Sequence, residues 1–123
     1  MKKLFFVSAL SLFGCAAIAQ DAVNKALVDG FRKDKEKSDK DATDPKASAK
    51  ASFWLERAKL YENIALQGSE VDSSAAKTAL EAYKKVVELD VTKKGEAGKS
   101  SKEAANVIAG GEGTQLFNAF VKQ

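Results

Sequence analysis

Chemistry has few places to reside in this chain. It contains no histidine and one cysteine, Cys15, so imidazole-assisted nucleophiles, histidine metal ligands, internal disulfides and thiolate zinc clusters are all excluded. Five groups of residues carry a spacing worth weighing. Gly98-Lys99-Ser100 resembles the end of a phosphate loop, yet Gly95 stands too close upstream for that pattern. Gly110-Gly111-Glu112-Gly113 is glycine-rich, but no Lys-Ser or Lys-Thr follows and Glu112 opposes a phosphate, so it reads as a helix break. Asp34, Asp39, Asp41 and Asp44 supply oxygens for calcium without the glycine and terminal glutamate of an EF-hand loop in register. Glu62, Glu70, Glu81 and Glu88 are carboxylates of the glycosidase type, but they fall on apparent polar helix faces or in a loop. Trp54 and Tyr61 could stack on a sugar, whereas their spacing with Ala51, Ala58 and Ala65 places them in a core. No catalytic, cofactor-binding or metal-ligating residue emerges, and no cofactor is implied.

The elements that must hold these residues begin with an N-terminal segment of a different kind. Met1-Lys2-Lys3 is basic, Leu4 to Phe13 is apolar apart from Ser8 and Ser11, and Gly14 to Ala19 is small and neutral apart from Ile18. The apolar run is shorter than the roughly 20 residues that cross a bilayer. This is the anatomy of a secretory signal peptide over residues 1–19, with Ala17-x-Ala19 directing cleavage before Gln20. Leu12-Phe13-Gly14-Cys15 also resembles a bacterial lipobox, which makes Cys15 a possible lipidation site, although Phe13 stands where a smaller residue is usual. The whole chain carries 20 Lys+Arg against 17 Asp+Glu and has a pI of about 8.9. Processing before Gln20 removes Lys2, Lys3 and the only thiol, leaving a nearly neutral chain without a disulfide.

Residues 20–44 read as an N-terminal helix followed by a charged linker. Val23, Leu27 and Phe31 share one helical stripe, and Gly30 weakens it by about 1 kcal/mol relative to alanine. From Arg32 to Asp44 the charges alternate in sign without aromatic residues, a solvated pattern and not a nucleic-acid surface. Asp44-Pro45 is an N-cap followed by a first-turn proline, opening a helix expected to run to about Gln67 with Gly68 in a left-handed C-terminal position. On it Ala51, Trp54, Ala58, Tyr61 and Ala65 form one face, and Phe53, Leu60 and Ile64 a second row. So broad an apolar surface needs more than one neighbouring helix. Asp72 or Ser73 is positioned to cap a helix from about Ser74 to Leu89, where Ala76, Ala79, Leu80, Tyr83, Val86 and Val87 are apolar and Glu81 pairs in register with Lys85. Two such helices pack as an antiparallel hairpin. After an exposed loop over residues 90–99, Ser100-x-x-Glu103 has capping-box spacing for a short helix. Thr114 is placed to cap a last one carrying Leu116, Phe117, Phe120 and Val121, a segment apolar enough to need a partner.

Residues 45–90 resemble a tetratricopeptide repeat. Trp54, Ala58 and Tyr61 match the marked positions of that family's first helix, and Ala79, Tyr83 and Val86 those of its second. Arg57 stands where the family has leucine, and Val91 replaces the usual proline. Tyr61 and Ala79 are separated by about twice the roughly nine residues of the family pattern, so the repeat is degenerate or extended. The resemblance implies a concave surface that receives a peptide or partner helix. Residues 91–123 then hold a loop and short helices, either the start of a further repeat or a cap on the hairpin.

The sequence thus predicts an all-α fold: a helical hairpin of tetratricopeptide type with short flanking helices. The expected function is non-catalytic protein–protein interaction outside the cytoplasm, in the periplasm or associated with the outer membrane. The partner is a protein or peptide, not nucleic acid, and a membrane is involved only if Cys15 is lipidated. The alternative is an envelope lipoprotein tethered through Cys15. A carboxylate hydrolase or carbohydrate binder would need acidic side chains converging on a pocket. Neither the partner's identity nor the oligomeric state is encoded in any motif.

Overall fold

A computed structural model describes residues 2–92, 95 and 97–122, with side chains described from Ala19 onward. It is all-α: α1 (Lys2–Ala42), α2 (Pro45–Ser48), α3 (Ala51–Gln67), α4 (Ala75–Leu89), α5 (Lys99–Ala109) and α6 (Gly111–Val121). Among the described residues there is no strand, only an isolated antiparallel bridge between Val91 and Ala97. No helix among them is long and apolar enough to cross a membrane.

The centre is the α3–α4 hairpin. Ala58 of α3 and Ala75, Ala76 and Ala79 of α4 are fully buried, and Ala82 almost so, so the two backbones come close. Around this alanine seam Tyr61, Ile64, Tyr83 and Val86 fill the interior. The helices run antiparallel, since a short loop joins them and Trp54 and Arg57 near the start of α3 lie beside Lys85 and Glu88 near the end of α4. Ala104 from α5 and Leu116 from α6 complete the core with no exposed surface. Leu55, outside both expected apolar rows, is also buried.

Several boundaries differ from the sequence expectation. The charged run after Arg32 does not leave the helix as a linker, because α1 continues to Ala42 and sets Lys35, Ser38 and Asp39 against α3. Asp44 does cap a helix with Pro45 in its first turn, accepting the Lys46 N–H at 3.1 Å, but that helix stops at Ser48. Lys50 is extended (φ −100°, ψ 125°) and α3 starts afresh at Ala51. The Trp54 indole donates to the Ser48 carbonyl at 2.8 Å, satisfying a carbonyl at the break. Gly68 is not left-handed: its φ is −143°, and its N–H still donates to Ile64 O at 2.9 Å. Glycine is required there by proximity, since a Cβ would stand 2.7 Å from the Phe31 ring.

Among the later helix starts only that of α4 uses an expected group, Asp72, and the N-cap itself is Ser74. Asp72 accepts from both the N–H and the hydroxyl of Ser74, at 2.8 and 2.7 Å, organising the entry to α4 as an Asx turn. The anticipated capping box of α5 is absent: its N-cap is Gly98, the Asp90 carboxylate accepts the Ser101 N–H at 2.8 Å, and Glu103 instead accepts from Lys59. Only Gly110 interrupts the chain between α5 and α6. Gly111 already begins α6, so Thr114 is not its cap. Gly113 is buried, and a Cβ on it would meet Ile108 O at 2.1 Å. Lys93, Lys94 and Glu96 of the expected exposed loop, and the side chain of Cys15, lie outside the described residues.

The α5–α6 contact at Gly113 is backbone against Cβ and cannot yield by a rotamer change. Gly113→Ala is expected to cost about 1–3 kcal/mol, as overpacking does. Gly111→Ala, with open space around it, should be neutral or stabilising by about 0.4–1 kcal/mol. Urea midpoints of the two variants check this, and equal midpoints would refute the close approach.

Candidate interaction surface

The repeat-packing residues read from the sequence converge. Ala58, Tyr61, Ala79, Tyr83 and Val86 belong to one buried cluster, with Trp54 half-buried against it and edge-on to Phe53 at 5.3 Å. These are packing positions, and the accessible surface is made by the groups around them. Two polar assemblies there escaped the sequence reading.

The first joins α1 to α3 and is centred on Asp39. Its Oδ1 accepts from Tyr61 Oη at 2.5 Å and lies 2.9 Å from Arg57 Nη1, while Lys35 Nζ donates to Oδ2 at 2.8 Å. Arg57 also donates to Ser38 Oγ at 2.9 Å, and its guanidinium stacks 4.6 Å from the Tyr61 ring centroid. Lys35 reaches on to Asp72 at 3.6 Å. Partial burial of Asp39 opposes ionisation, but the hydrogen bonds from Lys35, Tyr61 and Arg57 outweigh it and hold the carboxyl below its ordinary range. The hydrogen bond to Asp39 raises the Lys35 ammonium above its usual value despite some burial. Burial, reinforced by Asp39, raises the Tyr61 phenol. Arg57, which departs from the repeat pattern, was the one available signal of this site. Asp39 was hidden in the alternating charges.

The second assembly is internal. Glu62, expected on a polar face, is buried and accepts from the Tyr83 hydroxyl. Burial first, and then the neighbouring Glu62 carboxylate, push the Tyr83 phenol well above the ordinary phenolic range. Glu81 and Glu88 do lie exposed, paired with Lys77 at 3.9 Å and with Lys84 and Lys85 at 3.9 and 3.7 Å, so Glu81 takes its partner from the preceding turn and not from Lys85. Among the described residues no three carboxylate or thiol groups gather as a metal site. No described buried side-chain polar atom lacks a partner.

Several large apolar side chains also remain uncovered. On α6, Leu116 turns inward, whereas Phe117, Phe120 and Val121 remain 57%, 40% and 65% exposed. Along α1, Val23 and Leu27 are exposed, and Phe31 is the first residue of their stripe to reach the core cluster. Comparison with known protein families, curated proteins and solved structures finds no match to this chain.

A carboxyl whose folded value lies below its unfolded one stabilises above the ordinary range and loses that contribution as pH falls through the folded value. Asp39→Asn is therefore expected to cost about 1–2 kcal/mol at neutral pH, a charge-assisted interaction discounted for its exposure. The variant and wild type should converge as pH drops well below 3.8, the ordinary Asp value. Chemical denaturation from pH 7 to pH 2 measures this. A gap that persisted unchanged in acid would mean that the charge of Asp39 is not what holds α1.

Proposed function

We propose that the chain is an exported, non-catalytic helical module of tetratricopeptide type that binds a protein or peptide partner in the periplasm or at the outer membrane. The observation that carries this reading is the division of labour among its side chains. The charged groups that reach the interior are spent on one another: Asp39 on Lys35, Arg57 and Tyr61, and Glu62 on Tyr83. Of the large apolar side chains left exposed, Phe117, Phe120 and Val121 are grouped on one helix face. Such a surface gains free energy by being covered and offers no acid, base or nucleophile to a substrate.

Export is supported by the basic, apolar and small-residue succession of residues 1–19. The lipobox-like Leu12–Cys15 supports a second reading, anchorage through a lipid on Cys15.

Intact mass of the protein purified from the cell envelope is expected to correspond to a start at Gln20. A lipid-modified start at Cys15 would establish the anchored form, and a full-length mass would remove export. A photo-crosslinker at Phe117 in living cells should yield discrete adducts that one at Glu70, in the α3–α4 loop, does not. Absence of adducts from Phe117 would remove α6 as a contact surface.

A further inference from the structure

The way α1 lies on α3 is chemically uneven. Between them runs a gap of about 310 Å³ in which Phe53 and Leu60 of α3 face Asp34, Lys37 and Asp41 of α1. Phe53 and Leu60 meet charged side chains across the gap and stand beside Glu56 and Arg57 on their own wall, so the gap gains little from hydrophobic burial. The apolar grip of α1 on the core cluster comes from Phe31, seated over Gly68. The remaining attachment is polar and partly solvent-exposed, concentrated in the Asp39 carboxylate between Arg57 and Tyr61. Exposed charges of this kind contribute modestly and exchange readily for an equivalent partner. The receiving side is the better built of the two: the Arg57 side chain is 12% exposed, fixed over the Tyr61 ring and flanked by the half-buried apolar row.

We propose that residues Phe31–Ala42 form a displaceable strap over a helix-docking face on α3. The partner for that face is an amphipathic helix that presents a carboxylate to Arg57 and apolar side chains to Phe53 and Leu60. The strap fills the charge requirement of the face and leaves its apolar requirement unmet. A partner meeting both displaces it, and α1 swings free while the α3–α4 core, whose buried side chains among the described residues all come from α3 to α6, stays closed. The inference rests on reading the chain as an interaction module and assigns that module a face and an internal competitor.

The test uses the full chain and a fluorescent synthetic peptide of residues 29–44 carrying Asp34→Leu, Lys37→Leu and Asp41→Leu, with Asp39 retained. Fluorescence anisotropy is expected to show this probe binding at least tenfold more tightly than the peptide of unaltered sequence. Asp39→Asn in the probe should weaken it at least tenfold. Loosening the strap in the protein, by Phe31→Ser with Asp39→Asn, should strengthen probe binding at least tenfold. Asp39→Asn alone serves the same purpose if the double variant does not fold. Equal affinity for the loosened and wild-type chains, or indifference to the probe's Asp39→Asn, would overturn the strap. Failure of the Phe117 crosslink alongside tight probe binding would count against α6 as a contact surface and leave the strap standing.

Discussion

Two helices can share a core without large interlocking side chains only if one of them is nearly bare along its contact edge. α4 provides that edge through Ala75, Ala76, Ala79 and Ala82, met from α3 by Ala58. The close approach brings the rings of Tyr61 and Tyr83 beside the seam as its principal filling, and leaves defined places for Ile64 and Val86. Three further helices attach to this pair, α5 through Ala104 and Val107, α6 through Leu116 and Ala119, and α1 through Phe31 and the Asp39 assembly. Enlarging one of these alanines would part the helices and loosen three further contacts at once.

A core filled by tyrosines carries a polar obligation. Each phenolic hydroxyl needs an acceptor at the edge of the interior. For Tyr83 the acceptor is Glu62 on the facing helix, which draws an ionisable residue into a buried position. For Tyr61 it is Asp39 on another element altogether, and that requirement helps determine where α1 lies. The placement of α1 is thus coupled to ring packing in the hairpin, and Arg57 bridges the two by stacking on one partner and pairing with the other.

The periodicity of Trp54–Ala58–Tyr61 and Ala79–Tyr83–Val86 made the hairpin legible because every one of those positions obeys the spacing of a single helix. What stayed hidden depends on two helices at once. Glu62 looks solvated until α4 brings the Tyr83 hydroxyl to it, and the run after Arg32 looks like a linker until α3 offers Arg57 and Tyr61. The same holds at the ends of elements. The N-terminus of α5 uses a carboxylate from Asp90 and not its own Ser100–Glu103 pair, and Gly68 answers to the Phe31 ring rather than to a left-handed turn. Of the surface, the apolar character of α6 was readable, whereas the polar assembly on α3 was signalled only by Arg57 breaking the repeat pattern.

Asp90 gives the loop between α4 and α5 an unusual independence from its own length. Its carbonyl accepts the Gly98 N–H at 2.9 Å while its carboxylate accepts that of Ser101, and Val91 bridges to Ala97 just inside this closure. The loop is therefore tied off at its base, and Asp90 gives α5 its bearing. Lengthening such a closed loop costs only about 0.6 kcal/mol for each doubling. The segment between Val91 and Ala97 is thus the natural port for inserted sequence, whether an epitope, a fluorophore site or a second domain, with the six-helix framework left in place.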